Sequence, residues 1–124
     1  MTMHKIAPIL LLLCTSCNVD TQLLTGTWKA SSFYQNGKTV QVPLDSVELS
    51  FDENGQYIFR SVGFYKEEGP YRASGKYLFL TDMTAKPPRE HTLSVLFLSN
   101  DTLKIGMKKD TSEQVLFFKR EVNK

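Results

Sequence analysis

The chain has 124 residues, with 15 Lys and Arg against 13 Asp and Glu, and is 41% hydrophobic. That is enough for one domain around a single core, and charges scattered in ones and twos leave no basic stripe for nucleic acid. Its two cysteines, Cys14 and Cys17, both stand near the N-terminus, so the rest of the chain holds no disulfide, no thiolate metal site and no cysteine nucleophile.

In chain order, His4 and Lys5 lead into the apolar run Ile6 to Leu13, followed by Cys14-Thr15-Ser16-Cys17. A charged start, a short apolar run and small residues before a break read as a secretory signal. The run falls far short of the roughly 20 residues needed to span a bilayer. Ending on a cysteine instead of an A-x-A site, it resembles the lipobox of bacterial lipoproteins. The resemblance implies cleavage before Cys17, with Ser16 and Thr15 ahead of it, and acylation of Cys17 by fatty chains such as palmitate. Cys14 does not fit, because Leu13 stands where a small side chain is needed; it also occupies the position where Leu is commonest. The competing reading is an ordinary cleaved signal with Cys17 as a chance thiol. The lipoprotein reading divides the chain into a signal peptide (1–16), an acylated cysteine and polar tether (17–22) and a folded domain (23–124).

From Leu23 onward the apolar pattern has period two, with at most one helical turn near Val19 to Leu24. Strands are predicted at Thr27 to Tyr34, Ser46 to Phe51, Gln56 to Phe64, Gly75 to Thr81, His91 to Leu98, Thr102 to Lys108 and Gln114 to Glu121. They are rich in Tyr, Phe, Val, Ile, Leu and Thr. Asp52-Glu53-Asn54-Gly55, Ser99-Asn100-Asp101 and Lys109-Asp110-Thr111-Ser112 separate some of them as turns. Seven or eight short strands at regular spacing imply an all-β antiparallel sandwich or barrel.

Gly55 suits the left-handed position of a three-residue hairpin loop with a bulge. That register pairs Asp52 with Gln56, Phe51 with Tyr57 and Leu49 with Phe59, placing the four large side chains on one face. The spacing in this turn is wrong for a calcium loop. In the later hairpin two registers satisfy the pattern. A two-residue Asn100-Asp101 turn matches Leu98 with Leu103 and Leu96 with Ile105; a three-residue loop matches Phe97 with Ile105 and Val95 with Met107. Both faces of 91–98 are apolar, so alternation does not choose between them.

Leu24-Thr25-Gly26-Thr27-Trp28 opens the first strand, Phe51 and Gly55 frame the first hairpin, and Lys119-Arg120 end the last strand. Together with Cys17 and a short tether, this layout resembles small lipocalin-like lipoproteins of Bacteroidetes-type bacteria, relatives of the calycins. The resemblance implies a small up-and-down β-barrel of about seven to eight strands. In it Gly26 lets the chain pass beneath the barrel, Trp28 plugs the closed end and Arg120 lies against Trp28. It also implies a lipid-anchored place in the cell envelope, in keeping with the outer membrane, at its periplasmic or surface face. Full lipocalins are longer and carry a disulfide that this domain lacks, so a barrel filled by its own Phe and Tyr side chains is the alternative to a ligand chamber.

No residue pattern points to an enzyme. His91, the one histidine beyond the signal segment, reads as a strand-end surface residue. Glu67-Glu68, between Lys66 and Gly69-Pro70, read as a solvated turn, and no serine sits in a nucleophile elbow. No metal site and no cofactor are expected. The pairs Tyr57/Phe59 and Tyr77/Phe79 each lie on one strand face and are the candidate lining for a small hydrophobic or amphipathic ligand. Asp82 to Glu90, stiffened by Pro87-Pro88, reads as the longest connection, a candidate lid or protein contact. Two functions follow: ligand binding in a lipid-anchored barrel, or a non-enzymatic envelope interaction module with a filled barrel and no ligand.

Overall fold

The structure, a computed structural model, describes residues 18–122. The signal segment and Cys17 lie outside the described residues. Asp20 caps a single helical turn, α1 (Thr21–Leu24), its carboxylate accepting from the Gln22 and Leu23 amides at 3.1 and 3.2 Å. Nine strands follow: β1 (Gly26–Gln35), β2 (Lys38–Thr39), β3 (Glu48–Phe51), β4 (Gln56–Ser61), β5 (Tyr65–Ser74), β6 (Tyr77–Asp82), β7 (Arg89–Leu98), β8 (Thr102–Lys109) and β9 (Ser112–Arg120). All pairings are antiparallel, and β1 pairs with both β3 and β9. Eight strands thus close into an up-and-down barrel, with β2 an extra strand beyond the end of β1. Closure removes the free edges that an open sheet of this size would expose.

The first hairpin has the predicted register: Leu49 faces Phe59 and Phe51 faces Tyr57, with Gly55 at φ +78°. In the later hairpin Leu98 faces Leu103, as a tight Asn100-Asp101 turn requires, but a bulge between Val95 and Phe97 then pairs Val95 with Ile105. Neither register holds throughout. The bulge turns the consecutive residues Leu96 and Phe97 both outward, where each is about half exposed. It explains why both faces of this segment are apolar, and Leu96 folds over Gly106, where a Cβ would come within 3.0 Å of it.

Three strand expectations are corrected. The predicted strand 56–64 ends at Ser61, because Val62–Phe64 form a 3-10 turn in which Gly63 and Phe64 take positive φ. Residues 65–74, including the supposed Glu67-Glu68 solvated turn, are a full strand; of its inward positions Glu67, Gly69, Tyr71 and Ala73, only Tyr71 is a large aromatic, so no apolar alternation shows. Gly69 is required there, since a Cβ would stand 1.9 Å from the Thr81 carbonyl oxygen. The two-residue β2 follows an Asn36-Gly37 turn with both residues left-handed, the pair best suited to a two-residue hairpin.

The core is one cluster: Leu24, Trp28, Val47, Leu49, Phe51, Tyr57, Leu78, Leu80, Leu93, Leu103, Ile105 and Phe118 are buried. Side chains of this cluster close one end of the barrel. There Trp28 is fully buried and its Nε1 donates to the Leu24 carbonyl at 2.9 Å. Arg120 stacks its guanidinium 4.3 Å from the Trp28 ring centroid. It donates to the carbonyls of Thr25 at 2.7 Å, Asn100 at 2.6 Å and Leu23. Gly26, at φ +135°, leaves the space this needs, because a Cβ would come 2.4 Å from Arg120 Nη1. A cation–π contact is worth about 0.5–2 kcal/mol, more when desolvated.

Candidate functional site

At the other end the packing stops short. A chamber of about 610 Å³ opens between the strand ends. Its walls are Leu49, Phe59, Leu80, Leu93, Ile105, Leu116 and Phe118; its rim carries Arg89, Lys108, Lys109 and Gln114. Apolar walls with a few converging polar groups are the usual make-up of a small-molecule site, and the volume falls in the usual range. A larger depression of about 890 Å³ lies around the β3–β4 turn, lined by Ser50, Asp52, Glu53, Asn54 and Gln56 among others. Polar turn and strand residues dominate its lining, and neither Glu67 nor His91 is among them, so the interior chamber is the candidate.

A polar cluster at the chamber comes from three adjacent strands: Glu67 and His91 line the chamber, and Asp82 stands beside them. Glu67 on β5, Asp82 on β6 and His91 on β7 each continue the inward parity of their strand and bring a ligating atom within 4.8 Å of one another. Glu67 is 9% exposed and Asp82 1%. The Tyr57 hydroxyl donates to Glu67 Oε1 at 3.3 Å, and the Tyr65 hydroxyl donates to Oε2. Asp82 Oδ1 accepts from the Thr84 amide at 2.9 Å and from the Thr84 hydroxyl at 2.5 Å. His91 Nε2 lies 3.3 Å from Glu67 Oε1, yet is buried and makes no hydrogen bond.

These contacts set the local electrostatics. Burial, then the charges of Glu67 and Asp82, push the Tyr57 hydroxyl far above the usual tyrosine value. The hydrogen bond to Glu67, with burial, takes Tyr65 to about 12. Both tyrosines therefore remain protonated donors at neutral pH. For Asp82 burial acts upward, but the Thr84 hydrogen bonds and the charges of Arg89 and His91 outweigh it and hold the carboxyl below its ordinary range.

The residues expected to line a ligand site divide. Phe59 lines the chamber, whereas Tyr57 does not: its hydroxyl donates to Glu67 and its side chain lines the depression around the β3–β4 turn. Tyr77 and Phe79 are on the outer face, because β6 turns Leu78, Leu80 and Asp82 inward. Outside, Arg72 stacks 4.1 Å from the Phe79 ring, and Tyr77 lies beside Phe79. Tyr77-Leu78-Phe79-Leu80 is apolar in both parities, so alternation alone does not say which pair is inside. His91, read as a surface residue, points into the chamber. With β5 recognised as a strand, the parity of Glu67 with Tyr71, Asp82 with Leu80 and His91 with Leu93 would have marked the polar cluster.

An eight-stranded antiparallel barrel, plugged at one end and hollow at the other, is a lipocalin-like fold. A lipocalin-like protein from Bacteroides uniformis has a similar structure, with a TM-score of 0.58 and 18% sequence identity over 80% of this chain and 99% of that one. The likeness is one of fold. No protein-family model matches the chain, and no curated protein matches it. Among the described residues no helix is long and apolar enough to cross a membrane.

Proposed function

We propose that this chain is a non-enzymatic binding protein of the cell envelope that takes a small amphipathic molecule into the hollow end of its barrel. The carrying observation is the chamber itself, apolar on its walls, with Glu67 and His91 reaching its lining. That arrangement suits a ligand with an apolar body and a polar group placed against the cluster.

The envelope location, in keeping with the outer membrane, rests on the signal-like segment and on acylation of Cys17; several chains on one cysteine make attachment effectively stable. The Val19 amide donates to the Gly75 carbonyl at 2.9 Å, fastening the tether to the plugged end. A lipid on Cys17 then sets the plugged end at the bilayer and turns the chamber mouth away from it. The second reading, an interaction module for another envelope protein, draws on the rim. Phe64 is fully exposed there, next to the half-exposed Val62 and Tyr65.

The barrel closes within the described residues, so a soluble form starting at Asn18 keeps every contact above. Solvent extraction of that form after incubation with a lipid extract of native membranes and repurification, followed by mass spectrometry, is expected to release a near-stoichiometric apolar or amphipathic compound. No such compound, together with no saturable uptake of an apolar dye, would replace ligand binding with the interaction reading.

A further inference from the structure

We propose that Glu67, Asp82 and His91 form a binding site for a first-row divalent metal ion at the inner wall of the chamber. One imidazole nitrogen and two carboxylates are a donor set that Zn²⁺ and its neighbours accept. The three donors come from adjacent strands of a closed barrel, which fixes their backbones, and all lie within 4.8 Å of one another. Donors sharing an ion at bonds of about 2.0–2.2 Å stand roughly 3–3.5 Å apart. His91 Nε2 and Glu67 Oε1 are already at 3.3 Å, so the set closes with small side-chain movements.

Two further observations point to an ion. His91 Nε2 is a buried atom, on a side chain about one-third exposed, that makes no hydrogen bond although Glu67 Oε1 lies 3.3 Å away. A buried orphan of this kind is costly unless something outside the chain satisfies it. The carboxylates are also oriented from behind. Thr84 holds Asp82 Oδ1 through two hydrogen bonds, and Tyr57 and Tyr65 hold the two oxygens of Glu67. Outer hydrogen bonds of this type orient metal ligands in known sites. Three protein donors leave at least one coordination position facing the chamber, where water or a ligand's polar group would bind. The ion site and the apolar chamber are separable: a barrel that holds no organic ligand still holds the ion.

The test is equilibrium dialysis of the chelator-stripped, untagged form starting at Asn18 against Zn²⁺, with metal content read by mass spectrometry. This form has no cysteine and His91 is its one histidine. One equivalent of saturable Zn²⁺ is expected. His91→Ala should abolish it, and Tyr65→Phe, a change at a half-exposed residue, should weaken it by roughly 10–100-fold. Circular dichroism of each variant confirms that the barrel is intact. Unsaturable or substoichiometric binding by the parent, or equal binding by a folded His91→Ala variant, overturns the site. Apolar dye uptake measured on the same samples reports the chamber independently.

Discussion

The two ends of this barrel solve opposite problems with the same strands. At the plugged end every large group finds a partner: Trp28 bonds Leu24, Arg120 spans three carbonyls and stacks on Trp28, and Asp20 caps the helical turn. At the hollow end the apolar walls face a chamber, a buried nitrogen lacks a partner and two carboxylates lie close together. Partners are concentrated at one end, and the proposed binding site lies at the other. Functional sites commonly show such local departures from full packing and polar satisfaction.

The comparison predicts that damage scales with the end that is struck. Trp28→Ala should be the most severe change. Emptying a fully buried Trp site costs about 3–5 kcal/mol, a large share of the roughly 5–15 kcal/mol that stabilises a domain. In a barrel of this size that lowers the melting temperature by about 12 °C or more, or prevents folding. Arg120→Lys should follow, at about 1–3 kcal/mol in urea unfolding. One ammonium cannot reach the carbonyls of Leu23, Thr25 and Asn100 together or stack flat on the indole. A loss as small as a surface substitution would mean that the Arg120 contacts do not fasten the barrel.

At the hollow end, Leu116→Trp adds bulk to a chamber wall. Overpacking a filled core typically costs about 1–3 kcal/mol; here the expected cost is under about 1 kcal/mol, because the chamber receives the ring. A large destabilisation in thermal unfolding would show that the interior is effectively full. The smallest effect belongs to Asp101, in the β7–β8 turn. Hydrogen bonds from the Thr102 and Ser99 hydroxyls hold its carboxyl below the ordinary value. A depressed folded value contributes stability above the unfolded value of about 3.9 and loses it as pH falls through the folded value. The difference in melting temperature between wild type and Asp101→Asn should therefore be greatest near neutral pH and shrink below about pH 4.

How far the sequence could be read follows the same division. The barrel and its first hairpin were legible because Leu49, Phe51, Tyr57 and Phe59 alternate cleanly around a turn that Gly55 suits. The polar side of the hollow end was hidden because its residues break the apolar alternation. Glu67, Gly69 and Ala73 look like turn residues, and Asp82 and His91 look like strand ends, until the strands are paired and their parity is known. Tyr77 and Phe79 misled for the converse reason: bulky aromatics on an outer face, stacked with Arg72, carry the same alternation as a core. The bulge at Leu96 is likewise a pairing event that no local pattern announces.

Whether the hollow end admits a guest decides between the two proposed functions. The most direct measurement is a fluorescence titration of the form starting at Asn18 with Nile red, a neutral apolar dye, alongside its Leu116→Trp variant. Saturable one-to-one binding that the folded variant loses is the predicted result. Absence of saturable binding, or equal binding by both proteins through an outer patch such as Phe64, would contradict it.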